Sequence, residues 1–587
     1  MLGDFKVRAV DASARLGELE TRSGTLRTPI FLPVYNPNKP YVTPKEMRDM
    51  GADAIFTNSY IIWRSRWLRD VALEEGVHKL LGFDGVVFTD SGAYQIYRFG
   101  SIEVTNVEML KFQHAIGADV ASIVDIPMAA GISREEALRG VAVTLRSARE
   151  WRSIRDELEG TLWIGTPQGS SHWDLIEFTA REMSALNFDY YGAGSLKVAL
   201  ETYDFEVQVD LLLKIRKWIP SGRPLHFWGI GLPAVLALYT ALGADSFDSA
   251  SYALYAEGDR YMTVHGTIEL GELDEFPCTC PVCSKWSPNE LSSLPKPERV
   301  RLLSKHNLYT LLSEIKLIRE AIRGQWLWEL VQQRVRAHPR LLAALKRAFE
   351  GYGELLEERE PITKSHGLFY SGPETALRPE VVRASKMLSR VSSGRRFKHP
   401  LYGVVPLGLR YTYPFGQTHM PGWTEPSEEP TDAEIILHTI QFFYGREAQH
   451  AFASPRLTRS KATGMPRDVY DGDVRVGSIR PADGMFIPSL EGAKRLASVL
   501  PWPRGRVVVR ERYAEKVARG TTVFVKFVKT ADPHIRPGSE VLVVDEQDRV
   551  LAVGKALLSA REYRSFTRHA FVRIRHHVLP REPQEGD

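Results

Sequence analysis

The sequence predicts an α/β protein: a (β/α)8 barrel with a metal-binding subdomain, followed by small α+β domains and a β-rich C-terminal domain. Three observations point there. Up to about residue 255, short apolar runs alternate eight times with amphipathic stretches. All three cysteines, Cys278, Cys280 and Cys283, then fall within six residues. The last block, from about residue 505, alternates apolar and polar residues and carries the basic surplus of the chain.

The eight runs are PIFLPV, DAIFTNS, GVVFTDS, ASIVDIP, LWIGTPQG, FDYYGAG, LHFWGIG and DSFDSAS. Between them, segments such as 133–157 and 172–186 have helical periodicity. Eight strand–helix units are the signature of a closed barrel; periodicity alone leaves an open, doubly wound sheet as the alternative. Polar residues stand at the downstream ends of the runs: Asn58, Asp90, Asp125, Gln168 and Asp248. In a barrel the C-terminal ends of all strands share one mouth, where these residues would converge. One polar residue after a strand is more often a helix N-cap. Five of them, three being carboxylates, predict a site.

The sequence CTCPVC spaces its thiols as Cys-x-Cys-x-x-Cys, and Zn2+ takes thiolate and imidazole ligands in a tetrahedron. His306, 23 residues beyond Cys283, opens the helical pattern HNLYTLLSEIKLIREAI and is the expected fourth ligand, with His265 competing. Four protein ligands leave no open position, so the single zinc is expected to be structural. No cysteine remains for a disulfide, which fits a reducing compartment. No apolar run reaches bilayer length, and the first residues lack an export-signal pattern. A cytoplasmic protein without membrane partners is expected.

A helical region at 297–358 is expected to complete a barrel domain over 1–358, with the zinc subdomain at about 270–320. The stretches 411–423 and 427–432, rich in Pro, Gly and acidic residues, read as linkers. The small α+β domains are placed at 359–430 and 431–503. The β-rich domain follows at 504–580, with turns at Arg536-Pro537-Gly538 and at 545–548; the acidic end EPQEGD is expected to be disordered. Residues 501–580 hold 16 Lys/Arg against 8 Asp/Glu, whereas residues 1–500 hold 59 against 61. Such a surplus attracts polyanions, nucleic acid first; a surface that only aids solubility is the alternative. No G-x-x-x-x-G-K-[ST] loop occurs, so ATP is not expected.

Asp90 lies in TDSGAYQ and Asp248 in SFDSASY. Two carboxylates at one barrel mouth can run glycosyl chemistry, one as nucleophile and one as acid/base. TDSGAYQ resembles the TDSGGFQ element of tRNA-guanine transglycosylases, and SFDSASY resembles the nucleophile segment of that family. GTPQG is similar to its VQG element, GAGSL to its GGL base-binding loop, and CTCPVC with the later HNL to its zinc site. The C-terminal stretch ADPHIRPGSEVLVVDEQDRVLAVGKALLSA is similar to a PUA domain, an RNA-binding module of archaeal members. The chain is thus identified as a member of the archaeal branch of that family.

The resemblance implies base exchange in tRNA by two displacements, with Asp248 as nucleophile and Asp90 as acid/base. It implies base recognition by Ser91, Asp125 and Gln168 and by backbone near Gly194 and Ser195. The archaeal branch replaces guanine at position 15 of the D-arm with 7-cyano-7-deazaguanine (preQ0) on the path to archaeosine. Extra domains would grip the acceptor end, and members commonly form homodimers. Two departures stand out: Ser195 occupies a place where glycine is frequent, and SASYALYAEGDRYMT replaces an arginine-bearing bacterial segment. A paralogue that amidinates preQ0 shares fold and PUA domain but typically lacks the full constellation. Both carboxylates also argue against a non-catalytic accessory subunit, and the basic tail argues against a carbohydrate-active glycosidase.

Overall fold

The computed structural model describes residues 2–93, 104–194 and 202–580. They form two compact units, Met1–Arg323 with Leu330–Ala348, and Gly324–Glu329 with Phe349–Asp587.

The first unit holds the predicted strands, one from each apolar run: β1 (Ile30–Pro33), β2 (Ala54–Asn58), β3 (Val86–Asp90), β4 (Val120–Ser122), β5 (Leu162–Gly165), β6 (Tyr190–Ala193), β7 (Leu225–Phe227) and β8 (Ser246–Ser249). Hydrogen bonding runs β1-β8-β7-β6-β5-β4-β3-β2, all parallel. The last seam, β1 against β2, is joined by a parallel bridge from Val34 to Phe56. There the Tyr35 N–H donates to the Phe56 carbonyl at 2.7 Å. The sheet therefore closes into a barrel, and the open-sheet alternative falls. Helices Arg134–Ile154 and Trp173–Leu186 occupy the two segments read as helical. The first begins where the Ser133 and Glu136 side chains cap each other's backbone N–H. Aromatic rings fill the barrel: Phe56 and Phe88 are 5.9 Å apart, as are Phe88 and Tyr190.

A three-stranded antiparallel sheet, Phe5–Asp11, Ala14–Thr21 and Gly24–Thr28, precedes the barrel and was not among the expected elements. It supplies Arg15, which pairs with buried Asp245 at 2.7 Å and donates to the Ser221 and Arg223 carbonyls. Asp245 also accepts from the Leu225 N–H at 2.8 Å. This arrangement repeats around the N-terminal end of the barrel. Asp119, just before β4, accepts from the Val87 N–H at 2.8 Å and faces His78 at 3.1 Å. Asp189, just before β6, accepts from the Trp163 N–H at 3.2 Å and pairs with Arg155 at 3.2 Å. Each carboxylate clamps the start of one strand to its neighbour, and a basic side chain faces each one.

After β8, the hairpin Arg260–Thr263/Gly266–Glu269 leads to the cysteine loop and the helix Lys296–Gly324. Helices Leu327–Arg334 and Pro339–Glu357 continue the predicted helical region.

In the second unit the stretch 411–423 is not a linker. Tyr413 and Phe415 are buried there in a cluster with Leu368, Val381, Val405 and Phe442. The aromatic residues among the prolines and glycines supply core, which outweighs the turn signal. A four-stranded antiparallel sheet, Pro455–Arg459 to Phe486–Pro488, packs with helices Asp432–Tyr444 and Leu490–Val499. The final block forms a six-stranded sheet from Arg506–Val509 to Ala570–His577. Gly538 (φ 90°) makes the expected Arg-Pro-Gly turn, and Asp545 ties the other by accepting from the Gln547 and Arg549 N–H groups.

Asp245→Asn breaks a buried ion pair and is expected to cost about 3–5 kcal/mol in denaturant unfolding. Asp248→Asn, whose side-chain oxygen can still accept from its neighbours, is expected to shift stability by no more than ~1 kcal/mol.

Candidate active site and metal centre

The C-terminal ends of the strands bring the predicted residues to one mouth. Asn58 and Asp90 are level in the β2–β3 register. The Asn58 amide donates to Asp90 Oδ2 at 2.9 Å, and its oxygen caps the next helix by accepting from the Ile61 N–H. Asp90 Oδ1 accepts from the Gly92 N–H at 3.0 Å. Burial, helped by nearby Asp248 and opposed by the Gly92 and Asn58 hydrogen bonds, pushes the Asp90 carboxyl up to about 6. Asp125, beyond β4, is pushed up to about 7, again mainly by burial, with Asp90 adding to the rise. Gln168 donates to it at 2.5 Å. Among the described residues no Lys, Arg or His lies within ion-pair distance of Asp90 or Asp125. This is the reverse of the opposite end of the barrel.

Asp248 is the next-to-last residue of β8, and its side chain is 13% exposed. Its Oδ1 takes two contacts, the His226 Nε2 at 3.0 Å and the Gly229 N–H at 2.8 Å. Gly229 has φ 73°, a conformation that suits glycine and aims its N–H at the carboxylate. His226 is fully buried on β7, and sequence reading missed it, because a lone histidine in LHFWGIG looks like strand filling.

Ser91 is fully buried; its hydroxyl donates to the Ile123 carbonyl at 2.9 Å and its N–H to Ser122 Oγ at 3.0 Å. It thereby ties the end of β3 to β4. Gly194 lies under the Trp228 ring, where a Cβ would come within 2.6 Å of that side chain. The Trp228 indole donates to Thr166 Oγ1 at 3.1 Å. Ser195 lies outside the described residues.

The ligand atoms of Cys278, Cys280, Cys283 and His306 all lie within 4.8 Å of one another. His306 turns Nδ1 toward the thiols, 3.3 Å from Cys283 Sγ and 3.5 Å from Cys280 Sγ. Its other nitrogen, Nε2, donates to the Met262 carbonyl at 2.9 Å, which leaves Nδ1 free to ligate. Tyr261 stacks on His306 with centroids 3.7 Å apart, and its hydroxyl is 3.4 Å from Cys283 Sγ. The neighbouring Asn307 fixes the supporting backbone by accepting from the Met262 N–H and donating to the Tyr252 and Arg260 carbonyls. The cluster fits one metal ion held by four protein ligands. His265, the competing ligand, is exposed and is not part of it.

Residues 11–340 match the family described as Queuine tRNA-ribosyltransferase. Residues 435–503 match the patch-forming domain C2 of tRNA-guanine transglycosylase, and residues 505–578 match the PUA domain. The chain is 57% identical over 587 residues to a tRNA-guanine(15) transglycosylase of Korarchaeum cryptofilum, covering 99% of this chain and 98% of the relative. It is 43% identical over 576 residues to the protein of that name from Pyrococcus abyssi, covering 97% of each. With that from Methanocaldococcus jannaschii it shares 36% identity, covering 97% of this chain and 99% of the relative.

Elemental analysis is expected to find about one metal ion per chain, held by the four-ligand set. His306→Ala should lose most of it and melt at lower temperature, while His265→Ala should keep it.

Proposed function

The chain belongs to the queuine tRNA-ribosyltransferase family, and from that premise we propose that it exchanges guanine at position 15 of the tRNA D-arm for preQ0 through a covalent RNA–Asp248 intermediate. It is a transferase, and tRNA is its substrate. The observation that carries the finer reading is the mouth itself: buried carboxylates without basic partners, beside a third one held from a single side.

In the first displacement an Asp248 oxygen bonds to C1′ of the target ribose as the C1′–N9 bond breaks. The electron pair leaves with guanine, which takes the Asp90 proton. In the second, Asp90 takes a proton from the incoming base, whose nitrogen bonds to C1′ as Asp248 departs. Two inversions give net retention. An Asp90 carboxyl pushed up to about 6 suits a group that must both give and take a proton near neutrality. Asp125 would accept from N1–H and the exocyclic amine of a guanine-like base, and Gln168 would donate to O6. Ser91 supports them through its tie to β4, and backbone at Gly194 and Ser195 would complete the pocket. The target base must leave its stack to enter, at a cost of a few kcal/mol.

The resident ion is read as structural zinc, matched by three thiolates and an imidazole. Arg510, Arg512, Lys516, Lys526, Arg568 and Arg573 are exposed and have no carboxylate within ion-pair contact distance among the described residues, which supports phosphate contacts to the acceptor end. We keep the divisions 1–358, 359–430, 431–503 and 504–580, a homodimer and a cytoplasmic setting as parts of this reading. No helix of the described residues is long and apolar enough to cross a membrane.

Incorporation of labelled guanine into unmodified archaeal tRNA is expected for wild type and absent for Asp248→Asn; tRNA binding without exchange in wild type would overturn the proposal. The exchange kcat/KM should fall as pH rises through about 6, because only protonated Asp90 can protonate the leaving base. Asn58→Ala removes a hydrogen bond that favours ionised Asp90, so it should move that fall to higher pH.

A further inference from the structure

Strand β8 alternates its faces, so Ser246 and Asp248, two residues apart, share one. His226 on β7 is level with Ser246 in the parallel register and spans both. Its Nδ1 is 2.8 Å from Ser246 Oγ, and its Nε2 is 3.0 Å from Asp248 Oδ1. Ser246 Oγ lies 2.7 Å from the Tyr190 hydroxyl. His226, Ser246 and Tyr190 are all fully buried. A carboxylate oxygen only accepts, so Nε2 must carry a proton. Ser246 can then donate to Nδ1 and accept from Tyr190, which fixes the imidazole by both nitrogens. Gly229 places a second N–H on the same Oδ1, and Oδ2 has no hydrogen-bond partner among the described residues.

We propose that the Tyr190–Ser246–His226 chain is a positioning device that holds Asp248 by Oδ1, leaves Oδ2 as the attacking atom, and hastens the release of Asp248 in the second displacement. The proposal rests on Asp248 being the nucleophile. In the covalent intermediate Oδ2 is bonded to C1′ and Oδ1 is the ester carbonyl. As the incoming nitrogen bonds to C1′, the C1′–Oδ2 bond breaks and its electron pair returns to the carboxylate, spread over both oxygens. Donors already aimed at Oδ1 bind the charged product more strongly than the neutral ester, so they lower the barrier to departure. Without them the ester persists.

His226→Phe keeps an aromatic ring but no donor, whereas His226→Gln keeps an N–H. At saturating tRNA, His226→Phe is expected to lower kcat about 10- to 100-fold. Its KM for tRNA should change little, and the fraction of enzyme caught as covalent RNA adduct on denaturing gels should rise. His226→Gln should recover a substantial part of kcat. Ser246→Ala, which removes only the Nδ1 partner, should move both readouts in the same direction by less, and it stands in if His226→Phe does not fold. Wild-type kcat in His226→Phe, equal losses in the Phe and Gln variants, or no rise in adduct would each overturn the assignment, as would wild-type turnover in Ser246→Ala. Wild type that exchanges no guanine would instead overturn the reading on which it rests.

Discussion

Taking a carboxylate out of water is costly unless hydrogen bonds or an opposite charge replace the lost hydration. The two ends of this barrel meet that cost differently. At the N-terminal end, Asp119, Asp189 and Asp245 each accept a strand N–H and face a basic side chain, His78, Arg155 or Arg15. At the C-terminal end, Asp90 and Asp125 are held only by neutral donors, and both carboxyls are pushed upward. The first set fixes strand starts, although burial still raises the Asp189 carboxyl against the opposing pull of Arg155 and Arg223. The second keeps its proton affinity close to neutral pH, where a proton can be passed.

The same closure that builds the core builds this difference. Parallel register sets Asn58 beside Asp90 and His226 beside Ser246, and the period of two puts Asp248 on the face that His226 reaches. The extra N-terminal sheet delivers Arg15 to the opposite end. The aspartates proposed for catalysis and the structural ones of the same barrel are therefore separated by which end of a strand they occupy. Asp245 and Asp248 are three residues apart and serve different purposes.

Much of this was legible in the sequence. The eight apolar runs mark the strands because buried parallel strands read as unbroken apolar segments. Five of the eight runs carry a mouth residue toward their downstream end, and thiol spacing with a helical histidine marks the metal centre. Closure was not legible, since the Val34–Phe56 bridge is a pairing and not a pattern. The N-terminal sheet escaped notice because its strands mix polar and apolar residues on a half-exposed surface. The stretch 411–423 misled because Pro and Gly report local chain direction, whereas the burial of Tyr413 and Phe415 is a tertiary fact. His226 was hidden for a related reason: its meaning lies in its level on β7 relative to a strand about 20 residues later.

The most direct measurement is to locate the covalent bond. Wild-type enzyme would be incubated with tRNA, denatured, digested with ribonuclease and protease, and mapped by tandem mass spectrometry. A base-free ribose phosphate esterified through C1′ to Asp248, in the peptide containing SFDSASY, is the expected result, with none in Asp248→Asn. A base-free ribose phosphate carried by another side chain, or exchange with no ester on any residue, would contradict the division of roles among these carboxylates.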